Sequence, residues 1–254
     1  MRTIDLNADL GEGYGPWTMG DDAAMLDIVS SANIACGGHA SDPDTMFRTL
    51  GLAKARGVVT GAHPSYPDKE GFGRRRLPST PAEIERFVAA QVGALIAIGR
   101  LAGQPVTYVK PHGALGNVAA AEAPVAEAIV RAVRAIDPAL AILAISGTAL
   151  EVVARVERIA VYSEIFADRG YTPAGQLVPR SEAGAMIEDS DIASNRLLAF
   201  LDSGEMPTVG GSPVKLAADS VCIHGDSPHA VAMARHIRDA FRARGLTIAA
   251  FHRP

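Results

Sequence analysis

The chain has 254 residues, 48% of them hydrophobic and 20% charged. That balance supports a substantial buried core and excludes disordered, collagen-like and disulfide-scaffold classes. Lys plus Arg is 24 against 28 Asp plus Glu, a net charge of −4, and no basic run is long enough to mark a nucleic-acid or anionic-membrane footprint. The two cysteines, Cys36 and Cys222, make neither a disulfide framework nor a zinc ribbon. The opening residues lack the apolar h-region of a signal peptide, and the longest apolar stretch, Ala139 to Ile145, is too short to span a bilayer. The expectation is a soluble, cytoplasmic enzyme built as one catalytic domain over residues 1–254.

In chain order, the strand signals are Thr3–Ala8, Ser31–Cys36, Val58–Ala62, Val106–Lys110, Leu140–Ile145, Ala160–Ile165, Ser220–His224 and Leu246–Phe251. Helical spacing fills the intervals. Asp42-Pro43 and Ser227-Pro228 read as helix starts, and Thr80-Pro81-Ala82-Glu83 is a capping box followed by the apolar stripe Ile84, Phe87, Val88, Leu95 and Ile98. Gly57 and Gly245 read as helix stops. Regular strand–helix alternation implies parallel pairing and right-handed crossovers, and this length favours a (β/α) barrel of seven or eight parallel strands. One irregular stretch, Pro64 to Ser79, is long enough to be a functional loop.

In such a barrel the residues just after each strand form the active rim. Asp9 and Glu12 follow the first strand, His39 the second, His63 the third, Lys110 and His112 the fourth. Glu164, Asp168 and Arg169 follow the sixth, and His224 the seventh. Four of the seven histidines therefore fall on one rim, while His229, His236 and His252 lie on an outer helix or the tail. Taken singly, each of these residues has a plainer reading. Asp42 and Asp226 can cap helices, Gly37, Gly38 and Gly113 can serve turns, and the cysteines can be small buried hydrophobes. The convergence of six strand ends is what points to chemistry.

Two arrangements fit these residue types. Asp9, His63 and His112, with His39 or His224 in addition, offer ligands for a divalent cation. Alternatively, Asp9 or Glu12 acts as general base beside neutral histidines while Lys110 stabilises developing negative charge. Arg74-Arg75-Arg76, Arg169 and Arg180 are the guanidinium candidates for an anion. No Walker loop or dinucleotide fingerprint is present in the sequence.

Assembled in order, Ile4 to Gly13, Ser31 to Gly37, Gly61-Ala62-His63-Pro64, Gly71 to Arg75, Lys110 to Leu115, Phe166 to Arg169 and His224-Gly225-Asp226 resemble the LamB/YcsF family over nearly the whole chain. The resemblance implies an irregular barrel, TIM-barrel-like and similar to certain carbohydrate deacetylases. It also implies a component of an ATP-dependent 5-oxoprolinase that works with two partner subunits, B and C, to open 5-oxoproline to L-glutamate. ATP would be consumed, bound mainly on a partner or at a shared interface. The expected catalytic residues are Asp9, Glu12, His63, Lys110 and His112, and the expected substrate contacts are Asn7, Asn33, His39, Arg74, Asp168, Arg169, Arg180 and His224. The rival reading is a metal-dependent amide or N-acetyl hydrolase with no need of ATP, and a binding-only regulatory role fits less well. Gly38, Ser41 and Gly116 depart from the family pattern, in which an aromatic, a glycine and a tyrosine are common at these positions.

Overall fold

A computed structural model describes residues 2–225 and 229–252. Its first strand explains the rest of the design. β1 (Thr3–Leu10) alternates strictly, so Ile4, Leu6, Ala8 and Leu10 join the apolar layer under the helices. Asp5, Asn7 and Asp9 consequently point the other way, into the barrel interior. The same alternation runs through β2 (Ser31–Ala35), β3 (Val59–His63), β4 (Val106–Val109), β5 (Ala141–Ile145) and β6 (Val161–Phe166).

Between them lie α1 (Asp22–Leu26), α2 (Pro43–Arg56), α3 (Pro81–Ala102), then α4 (Gly113–Ala121) with α5 (Ala123–Ile136), and α6 (Ala149–Val156). After β6 come α7 (Ser190–Ser203), the two-residue strands β7 (Glu205–Met206) and β8 (Val214–Lys215), β9 (Ser220–Cys222), α8 (Ala230–Ala243) and β10 (Thr247–Ile248). All neighbours in the ring β1-β2-β3-β4-β5-β6-β9 are parallel, and β9 pairs back onto β1 through Asp5, Leu6 and Asn7. The barrel therefore closes on seven strands. The eighth expected strand, Leu246–Phe251, is reduced to β10, which pairs only with Thr3 and Ile4 below the closure. The antiparallel β7–β8 ribbon had no signal in the sequence, since two residues are too few to show a period.

The start and stop signals hold where they can be read. Asp42 accepts from the Asp44 and Thr45 amides and caps α2, and Thr80 with Glu83 closes the capping box of α3. Gly57 ends α2 in the left-handed region. The expected helix start Ser227-Pro228 and the possible cap Asp226 lie outside the described residues. Residues 64–80 carry no helix or strand, as expected for the long loop. Among the described residues no helix is long and apolar enough to cross a membrane.

The interior of the barrel is layered. Tyr108, Ala141 and Leu143, with Val59, Tyr162 and Phe251 against them, form a small apolar plug separate from the main core. Gly61 makes room for it, because a Cβ there would stand 2.3 Å from the Tyr108 ring. The remaining interior positions are polar. Asp5 accepts from the Ser30, Ser31 and Ser220 hydroxyls, and Asn7 donates to Ser220 and to Glu164. Asn33 donates to Asn7 and Asp9 and accepts from the Tyr108 hydroxyl. Each of these buried polar groups is thus matched, as a low-dielectric interior demands.

Burial raises Asp5 to about 6, against the three serine hydroxyls that favour its charge. A carboxylate with a raised folded pKa favours folding only while it can be protonated. Its contribution is whole below the unfolded pKa and is lost as pH rises through about 6. The stability of the wild type relative to Asp5→Asn should therefore fall by about 3 kcal/mol between pH 3.5 and 8, at about 1.4 kcal/mol per unit. Urea unfolding of both proteins across that range checks it, and a constant difference would refute it.

Candidate active site

The upper interior is dominated by one cation. Lys110, directly after β4, places Nζ 2.9 Å from Asp9 Oδ1 and 2.9 Å from Glu164 Oε1, with Asn7 Oδ1 at 3.2 Å and Cys222 Sγ at 3.0 Å. The sequence placed Lys110 emerging at the mouth. It is instead 4% exposed, forming the floor of the cavity rather than its rim. Burial alone would lower its pKa, but Asp9, Cys222 and Glu164 together more than offset this and hold the ammonium well above its ordinary value. Burial likewise pushes Asp9 up, and His63 with Lys110 outweighs it, so Asp9 sits well below the usual carboxylate range. Glu164 stays above that range, because its burial is only partly countered by Lys110. Cys222 is kept a thiol by burial, and Cys36 by the same cause, in accord with their reading as small buried hydrophobes.

Above Lys110, Asp9, Glu12, His63 and His112 each offer a ligand atom, all within 4.8 Å of one another and all buried. Two backbone carbonyls set the rings. His63 Nδ1 donates to the Lys110 carbonyl at 2.7 Å, and His112 Nε2 donates to the Phe72 carbonyl at 2.9 Å. This leaves His63 Nε2 and His112 Nδ1 facing each other 3.0 Å apart, with Asp9 Oδ2 at 3.3 Å from the former and Glu12 Oε1 at 3.6 Å from the latter. Burial, with His39 and His63 close by, holds His112 well below its ordinary pKa, so its Nδ1 presents a lone pair. Two lone pairs cannot meet at that distance, and a cation shared by the group would bridge them. Two imidazole nitrogens and two carboxylates are a donor set that fits a divalent metal ion.

The expected residues divide into those that line the cavity and those that hold the lining in place. Asp9, His63, Lys110, His112, Arg74, Arg169, Arg180 and His224 line a cavity of about 650 Å³. Asn7 and Asn33 do not reach it; they are interior spacers that fix Lys110, Asp9 and Glu164. His39 is also behind the wall, stacked on His112 at 3.7 Å with Nε2 3.0 Å from Glu12 Oε1. Asp168 grips His224 Nδ1 with both oxygens, at 2.7 and 2.9 Å. Burial would depress His224, and Asp168 outweighs it, so the imidazole is raised and favours its charged form. These four residues therefore orient lining groups from behind the cavity wall.

Of the three consecutive arginines, only Arg74 faces the cavity. Arg75 pairs with Asp68 and Arg76 with Glu122. Arg169 lines the wall but donates to the Val178 and Ala185 carbonyls, fastening the segment after β6. The long loop is part of the site. Phe72 lies edge-on to His39 and His112, and Gly73 (φ +63°) has no space for a Cβ, which would stand 2.8 Å from His39 and 2.9 Å from His112.

The three departures from the family pattern have local consequences. Ser41 is held at φ +74°, where glycine is relaxed, and its buried hydroxyl has no hydrogen-bond partner among the described residues. A Cβ at Gly38 would meet Gln91 at 2.3 Å, and one at Gly116 would meet the Pro111 carbonyl at 2.7 Å.

A model of the LamB/YcsF family matches residues 4–254. The chain is 51% identical over 251 residues to the A-subunit of 5-oxoprolinase from Azorhizobium caulinodans, covering 99% of each protein. It is 52% identical over 248 residues to the protein of the same name in Nocardia farcinica, covering 98% of this chain and 99% of the relative. The crystal structure of a lactam utilization protein from Thermus thermophilus superposes with a TM-score of 0.92 at 42% identity, over 98% of this chain and 99% of that one.

Removing the central cation tests the electrostatic account. Lys110→Met leaves two buried carboxylates facing each other and should cost about 3–5 kcal/mol of stability. Adding Glu164→Gln in the same chain should return much of it. Thermal unfolding of the three proteins decides, and equal melting temperatures for wild type and Lys110→Met would overturn the pairing as a structural keystone.

Proposed function

The chain belongs to the LamB/YcsF family, and on that premise we propose that it is the lactam-opening component of a 5-oxoprolinase, hydrolysing the cyclic amide of 5-oxoproline to L-glutamate. The reading extends to ATP-coupled turnover with two partner subunits, B and C, the whole chain serving as one catalytic domain in the cytoplasm. The observation that carries it is the meeting of Asp9, His63 and His112 above Lys110 at the floor of one cavity, with Glu12 beside His112. Half-identical relatives bearing the 5-oxoprolinase name support the substrate. Two unpaired, buried cysteines suit a reducing compartment.

A five-membered lactam resists hydrolysis because its amide is resonance-stabilised and the open product recloses readily. Phosphorylating the amide oxygen at the expense of ATP would make it part of a leaving group, and no phosphate-binding loop in this sequence suggests that this chain alone holds the nucleotide. The tasks left to this chain are to orient the ring, deliver water, neutralise charge and protonate the nitrogen. Asp9, which lines the cavity, or Glu12, beside His112, is the acceptor for the proton of the attacking water. His224, raised by Asp168 and following β9 next to β1, is suited to protonate the departing nitrogen. Arg74 and Arg180 are the guanidiniums placed to hold a substrate carboxylate. Asp9, His63 and His112 would hold a divalent cation, which when bound supplies Lewis-acid polarisation of an amide oxygen.

The deciding assay is 5-oxoproline-dependent ADP release with and without subunits B and C. Turnover should appear only with both partners, and full ATP-coupled turnover by this chain alone would overturn the three-component reading. ATP-independent amide hydrolysis by the purified chain, with tightly bound metal, would favour the simple hydrolase instead. In the complete system the Lys110→Met, Glu164→Gln double variant should regain stability yet remain at least about 100-fold slower than wild type, the scale of losing one electrostatic stabiliser.

A further inference from the structure

The cavity is larger and more one-sided than 5-oxoproline requires. That lactam has nine non-hydrogen atoms and displaces about five waters, roughly 150 Å³ at about 30 Å³ per water, whereas the cavity measures about 650 Å³. The ionisable groups that the strands bring lie on the floor and on the walls from β1, β3, β4, β6 and β9, while Arg74, Arg180, Asn117, Thr148, Gln176 and Ser181 stand along the border. Among the described residues, β5 is the barrel strand that brings no ionisable side chain to the rim. Over its carboxyl end the cavity continues as an apolar annex. Leu143 and Ile145 of β5 form one side and Leu150 of α6 the next. Ala120 and Ala121 of α4 face them, and Leu177 with Val178 closes the outer edge.

This annex is built rather than incidental. Gln176 donates to the Ala120 carbonyl, and Arg169 donates to the Val178 carbonyl, so the outer edge is tied to both α4 and the barrel. Apart from Asn117, the wall contributed by α4 is made of glycines and alanines, Gly116 among them, whose backbone lies too close to the Pro111 carbonyl for any Cβ. The space is thus kept open by the packing of the helix itself. A polar five-membered lactam has no use for an aliphatic compartment beyond its reacting amide.

Resting on the lactam reading above, we propose that the cavity also takes pyroglutamyl dipeptides whose second residue is aliphatic. The lactam ring would sit over the Asp9–His112 floor, the aliphatic side chain in the annex, and the terminal carboxylate toward Arg74 and Arg180. In the coupled reaction the ring carbonyl oxygen takes the phosphoryl group from ATP as ADP leaves, water adds to the ring carbonyl carbon, the ring C–N bond breaks as the nitrogen takes a proton, and a second water hydrolyses the resulting acyl phosphate to carboxylate and phosphate. The product is the linear glutamyl dipeptide.

Calorimetric titration of the purified chain with 5-oxoproline and with pyroglutamyl-leucine tests this directly. The dipeptide should bind about tenfold more tightly, the gain expected from burying one aliphatic side chain. Ala121→Phe, an exposed helix-end position that fills the annex, should abolish that advantage while leaving 5-oxoproline within twofold. Ile145→Asn, which makes the same wall polar, should do likewise and guards against a defect peculiar to the first variant. Equal or weaker binding of the dipeptide by wild type, or an advantage that survives both variants, overturns the annex while leaving the 5-oxoproline reading intact. Failure to bind either compound overturns both.

Discussion

A single ammonium group at the barrel axis is the condition on which the rest depends. Asp9 and Glu164 come from β1 and β6, which flank β9, and both are buried. Without Lys110 between them, two carboxylates would face one another in a medium that screens charge poorly. With it, each can remain where an active site needs it. The asparagines beside them complete the arrangement: Asn7 accepts from Lys110 and donates to Glu164, and Asn33 donates to both Asn7 and Asp9. Charge, amide and hydroxyl groups form one continuous interior network, anchored below by Asp5 and its three serines.

This polar interior changes what closure of the barrel means. Barrels of this kind are filled by layers of branched aliphatic side chains, but here that role falls to a thin plug around Tyr108 and Leu143. The apolar stabilisation lies instead between the sheet and its helices, where Leu6, Ile34, Val109, Ile142, Ile165 and Val221 are buried. The interior is therefore free to specify geometry, and seven strands suffice to enclose it.

Much of this was legible in the sequence because the signals were periodic or local. The alternation in Ile4 to Leu10, the capping box at Thr80 and the glycine stop at Gly57 each act over a few residues, and each appears where expected. The gathering of Asp9, His63, Lys110 and His112 was legible because parallel strands carry their ends to one rim. What a linear reading could not show was direction. Asn7, Asn33, His39 and Asp168 stand one layer behind the cavity, and only the pairing register decides which side chains face substrate and which face each other. The same holds for the arginines: Arg74, Arg75 and Arg76 are equivalent in sequence, yet Asp68 and Glu122 claim two of them.

The loop between β3 and α3 reaches the chemistry through its backbone. The Phe72 carbonyl accepts the His112 Nε2 proton, and the next carbonyl, that of Gly73, accepts the Ala114 amide in the first turn of α4. The loop thereby dictates where a proton resides on an imidazole it never touches with a functional side chain. Were the loop to lift away, His112 would lose the partner that selects its tautomer, and the lone pair now aimed at His63 could migrate to the opposite edge of the ring. Sequence drift in this segment, even among residues remote from any ligand, would then be read out as a change in proton address, so the loop's length and glycine content constrain acid–base chemistry as firmly as the histidines themselves.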